Sequence, residues 1–134
     1  NAHLHGLNDY GIGRGSVVFD ADNDGDLDLL VVNQKPVLDY PVPSATRFYR
    51  NEGAKGNWLK IRLKGVRAER LGIGARIGVV AGGRRMLREI DGGASSHISQ
   101  NSTIAHVGLG GATVVDSIII TWTGGNRQVL NRQN

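Results

Sequence analysis

The nine residues Asp20-Ala21-Asp22-Asn23-Asp24-Gly25-Asp26-Leu27-Asp28 constrain this chain more than any other stretch, because five of them are carboxylates. Like charges crowded this closely repel one another, so the segment needs either open water or a cation. Val17, Val18 and Phe19 precede it, and Leu29, Leu30, Val31 and Val32 follow it. These are β-type residues, so the acidic segment reads as a bend between two strands. Alternate side chains on a tightly curling bend converge on one point, and Gly25 permits a turn that a Cβ would obstruct. Numbered from Asp20, oxygen donors fall at loop positions 1, 3, 5 and 9, with glycine at 6. A hard cation such as calcium takes six to eight oxygens, and position 7 of such loops supplies its backbone carbonyl. The expected ligands of one Ca2+ are therefore Asp20, Asp22, Asp24, Asp26 (through its main chain) and Asp28. The plainer alternative is a solvated Asp/Asn turn; five aspartates around one glycine weigh against it. An EF-hand is excluded, because it needs a glutamate at position 12, here Val31, and flanking helices.

The remainder of the chain carries strand signals and no sustained helical period. Strands are expected over 16–19, 27–33, 46–51, 58–63, 73–81, 86–90, 114–123 and 127–130. Residues 98–107 read as polar and partly irregular. Pro36, Pro41 and Pro43 exclude a central strand between residues 35 and 45. From Trp58 to Lys64 the alternation is clean: Leu59, Ile61 and Leu63 face one way, and Trp58, Lys60, Arg62 and Lys64 the other. Gly82-Gly83 and Gly124-Gly125 mark hairpin turns. The expected fold is all-β. Residues 1–55 form a partial propeller-blade segment with the calcium loop, and residues 56–134 a β-sandwich or barrel-like domain. The chain begins at Asn1 and is expected to be a piece of a longer protein, so a missing leader is uninformative. Without cysteine, thiols say nothing about compartment.

Two resemblances follow from these residues. Phe19 through Leu29 resembles the calcium loop of FG-GAP/VCBS repeats, which form blades of integrin-type β-propellers. The segments Gly56–Gly65, Gly72–Ile77, Ser99–Asn101, Gly108–Gly110 and Val115–Trp122 resemble the ASPIC/UnbV domain, found after such repeats in exported proteins. The resemblance implies a non-catalytic module, extracellular or periplasmic, completed by the remaining propeller blades of a full-length chain. It names no ligand, and a single aspartate loop cannot close a propeller.

Charge and side-chain chemistry supply the other candidates. The chain carries +4 overall, and +9 once the five loop aspartates are set aside. A solvated surface explains most such excesses. The exposed row Trp58, Lys60, Arg62 and Lys64 is the candidate ligand surface, since an aromatic ring stacks on a sugar face and cations meet carboxylates. The partner expected there is an extracellular protein or an acidic glycan, not nucleic acid, and no segment is long and apolar enough for a membrane span. The alternatives are an accessory carbohydrate-binding module or a fragment of a polysaccharide-active enzyme, with Glu89, Asp91 and Asp116 as the carboxylates to watch. His3 and His5 lack the partners of a zinc site. Ser95-Ser96-His97 lacks a nucleophile elbow, and Gly72-Ile73-Gly74 has no following helix to hold a phosphate.

Overall fold

The computed structural model describes residues 5–9, 11–35, 45–53, 56–93 and 99–133. Among these the chain is all-β, with nine strands and no α-helix. The strands are β1 (Gly13–Phe19), β2 (Asp28–Asn33), β3 (Arg47–Tyr49), β4 (Asn57–Arg62), β5 (Arg76–Ala81), β6 (Arg84–Glu89), β7 (Ile104–Gly110), β8 (Val115–Thr121) and β9 (Arg127–Gln133). They fall into two compact units, one of Asn1–Ala54 with Ser95–Asn101, the other of Lys55–Ala94 with Ser102–Asn134. The prolines of the 36–44 segment, and His3, Ser95, Ser96 and His97, lie outside the described residues.

The first unit is a three-stranded antiparallel meander in the order β1-β2-β3. Phe19 stands opposite Asp28, so the whole aspartate segment is the connection between β1 and β2. Phe19 and Phe48 pack with ring centroids 6.3 Å apart. Ser99 joins this unit through its Oγ, which accepts the Ser16 amide at 3.2 Å.

The second unit sets a two-stranded sheet, β4-β7, against a four-stranded sheet of order β6-β5-β8-β9. Their facing sides form one core, in which Ile77, Val79 and Val107 are fully buried and Ile118 and Ile120 nearly so. Leu59 and Ile61 of β4 pack onto this core, and Leu63 is buried beyond the strand's end. The alternation read from Trp58 to Lys64 therefore has its apolar side inward. At one flank Arg88 of β6 donates from Nε to the His106 carbonyl of β7 at 2.8 Å, joining the two sheets. The outer strands of the larger sheet, β6 and β9, are largely exposed and rich in arginine: Arg84, Arg85, Arg88, Arg127 and Arg132.

Several bounds differ from the sequence expectation. β5 starts at Arg76 rather than near Ile73, because Gly72 and Gly74 take φ of 77° and 82° and hold the chain in a turn. Glu69 organises that turn: its Oε2 accepts the amides of Leu71 at 2.9 Å and Ile73 at 2.7 Å. These two bonds, Ile73 first, hold its carboxyl below the usual glutamate range. Residues 104–110 form a full strand with Ala105, Val107 and Leu109 turned into the core, where the sequence suggested irregular chain. β9 extends past Leu130 to Gln133 because pairing with β8 runs to Val115.

Candidate metal centre

The β1–β2 connection is built by its own side chains. Asp22 Oδ1 accepts the Asp24 amide at 3.3 Å, and Asp24 Oδ1 accepts the Asp26 amide at 2.8 Å. These successive Asx-type turns curl the backbone one residue pair at a time. Asp20 Oδ2 accepts the Gly25 amide across the curl at 3.2 Å. Two residues take left-handed backbone, Asn23 at φ 63° and Gly25 at φ 96°. Asparagine tolerates this region and glycine is unstrained there.

The curl brings Asp20, Asp22 and Asp24 together. One carboxylate oxygen from each lies within 4.8 Å of the others, with Asp20 half-buried and the other two exposed. Oxygens around calcium sit about 2.3–2.6 Å from the ion, so any two of them can be at most about 5 Å apart. The three oxygens satisfy that limit, and an all-oxygen, carboxylate-rich donor set suits a hard cation. Asp26 and Asp28 stand outside this trio. Asp28 is 2% exposed and divides its oxygens between two backbone amides: Oδ2 accepts Ala21 at 3.0 Å and Oδ1 accepts Asn51 at 2.8 Å. It thus ties the start of the loop to the chain leaving β3.

Two partners of the loop were not legible beforehand. Arg50 reaches Asp22 Oδ2 from Nη2 at 2.6 Å, and its Nε lies 3.4 Å from Glu52. Asn51 supplies the amide that Asp28 accepts. Both lie more than twenty residues beyond the loop. No local pattern links them to it; only the β2–β3 pairing does.

The Trp58 row carries contacts of its own. Trp58, Arg62 and Lys64 are exposed and Lys60 is half-buried. The Trp58 ring is stacked on His106 at 5.8 Å with the planes 19° apart, and the Lys60 ammonium stands 5.2 Å from its centroid. His106 faces Lys60 across the β4–β7 ladder, which the isolated sequence did not connect to the row. Of the carboxylates noted for catalysis, Glu89 meets Arg76 at 3.3 Å. Asp116 lies exposed on β8.

Comparison with known proteins identifies the family. Residues 65–134 match the family described as ASPIC and UnbV. Cartilage acidic protein 1 of Mus musculus is 34% identical over 125 residues, covering 86% of this chain and 17% of that protein. Cartilage acidic protein 1 of Homo sapiens is likewise 34% identical, with 16% of its length covered. The chain therefore spans about a sixth of the curated relatives it matches. More than half of its residues, including β5 to β9 with the core they build, fall inside the matched region: the chain belongs to the ASPIC and UnbV family.

Proposed function

We propose that the Asp20–Asp28 loop binds one calcium ion, and that the chain is a non-catalytic, calcium-stabilised interaction module of an exported protein. In this reading Asn1–Ala54 is a segment of an FG-GAP/VCBS-type repeat, completed by further blades in the full-length protein. The observation that carries it is the convergence of Asp20, Asp22 and Asp24 within 4.8 Å on a loop joining two antiparallel strands. Those three carboxylates would hold the ion, and Asp28 would brace the loop from beneath. The ion's contribution is charge: it cancels the repulsion among the aspartates and locks β1 against β2. Arg50 partly fills that role at Asp22. An exported setting would fill such a site, since extracellular calcium modules bind at ~10⁻⁴–10⁻³ M. The relatives' name, with its reference to cartilage, points the same way.

A calcium titration followed by thermal melting tests the reading. At about 5 mM calcium and a Kd of ~10⁻⁴–10⁻³ M, binding to the folded form alone stabilises it by about 1–2 kcal/mol. That is a rise of several degrees in Tm for a unit of this size. Asp24→Ala removes one of the three converging oxygens from an exposed position, so the rise should disappear while the fold persists. Equal melting in excess calcium and in chelator would overturn the proposal.

A further inference from the structure

The two units divide the charge unequally. The first holds four Lys/Arg against eight Asp/Glu, and the second twelve against four, a net of +8. Within the second unit lies an open groove of about 630 Å³ between β4 and the inner face of β8. Its floor is apolar, with Leu59, Ile61, Leu109 and Ile118, and its rim carries Lys60 and Arg62. No described lining residue is acidic.

The groove exists because the layers are unequal in width. Two strands, β4 and β7, face four, in the order β6-β5-β8-β9. Arg88 fixes β7 above β6, and the groove places β4 beside β8, so the smaller sheet ends before it reaches β9. Leu130 shows the result. It pairs with Ile118 and so points to the same side of the sheet, yet Ile118 is 6% exposed and Leu130 37%. Among the described residues β4 has a strand on one side only. Neighbours in a sheet lie ~4.8 Å apart, so a layer two strands narrower than the one it faces leaves room for an added strand beside β4.

We propose that this flank receives an extended acidic peptide, laid alongside β4 with alternate side chains directed down and up. Downward residues would be apolar and cover the half-buried Leu59 and Ile61. Upward residues would be Asp or Glu and meet Lys60 and Arg62. Six residues of β4 match a ligand stretch of about six residues, because extended chains advance by a common ~3.3 Å per residue. A sugar polymer fits less well. It offers no apolar side chains to the floor, and His106 already stacks on the Trp58 ring. The proposal does not rest on the calcium site, whose residues all belong to the other unit.

The test uses the full chain and three labelled probes read by fluorescence anisotropy, each with calcium and with chelator. One is an octapeptide alternating Glu and Val. The second has the same composition in blocks, four Glu then four Val. The third is a heparin oligosaccharide. The expected result is binding of the alternating peptide at least about tenfold tighter than of the block peptide, unchanged by chelator. Lys60→Glu combined with Arg62→Glu should weaken it by about tenfold or more. Amide hydrogen exchange on the wild-type chain supplies a readout independent of these variants: β4 amides should slow when the alternating peptide binds. Equal affinity for the two peptides, preference for heparin, absent binding, or β4 exchange unaltered by bound peptide would each overturn the proposal. Loss of the calcium-dependent Tm rise alone would leave it standing.

Discussion

Asp28 offers the sharpest test of how the loop is held. Its carboxylate is 2% exposed and is spent on two main-chain amides, Ala21 at 3.0 Å and Asn51 at 2.8 Å. Hydrogen bonds to a charged acceptor contribute about 1.5–3 kcal/mol each, and a buried donor left without a partner costs about 1–3 kcal/mol. Asp28→Asn keeps the volume and one accepting oxygen but turns an NH2 toward the second amide. It should destabilise the first unit by about 2–3 kcal/mol. Asp28→Ala removes both acceptors and leaves space behind, for about 3–5 kcal/mol. The assay is native-state hydrogen exchange by NMR in chelator, so that no metal contributes. Protection at the Ala21 and Asn51 amides should fall together, by the same free energy as the unit as a whole. If Asp28→Ala loses less than about 1 kcal/mol, or if either amide stays protected, the carboxylate is not the brace inferred here.

Four further outcomes follow from single residues. Arg50→Gln removes an exposed cation from Asp22; an exposed pair of this kind contributes about 0.2–1 kcal/mol, so calcium affinity by calorimetry should tighten about 1.5- to 5-fold, and weaker binding would contradict the placement of Arg50. Gly72→Ala combines a φ of 77° with a Cβ 2.7 Å from Leu63 and should lose about 2–4 kcal/mol in urea unfolding read by tryptophan fluorescence. Gly83→Ala, with a φ of 72° but no atom within 4 Å, should lose only about 1 kcal/mol. Glu69 has its carboxyl lowered by the Ile73 and Leu71 amides, so its stabilisation is present above the ordinary glutamate value and fades as pH falls through the lowered one. Glu69→Gln should therefore flatten the acid limb of Tm against pH, and an unchanged limb would exclude this role.

The parts of the fold that announced themselves are those where one chain segment decides its own fate. The run Ile118-Ile119-Ile120 makes a strand whatever its neighbours, and the alternation from Trp58 to Lys64 states which side is inward. β7 was obscured because its outward positions carry His106 and Gly108, while the inward Ala105 adds little apolar weight. The length of β9 is set by its ladder with β8, a fact held in pairing and not in composition. The same division runs through the candidate metal centre. The spacing of Asp20, Asp22 and Asp24 around Gly25 announces convergence. The separate use of Asp28 becomes visible only when β3 delivers the Asn51 amide to it. Likewise the exposure of Trp58 was legible, but not the His106 ring that β7 lays against it.

The arginines along β6 and β9 bear on how the protein behaves in a tube. A bare outer strand invites a second molecule to dock edge to edge, and positive charge there keeps copies apart. Salt shortens the reach of that charge, from ~10 Å at 0.1 M to ~3 Å at 1 M. Concentrated brine is therefore where turbidity should begin.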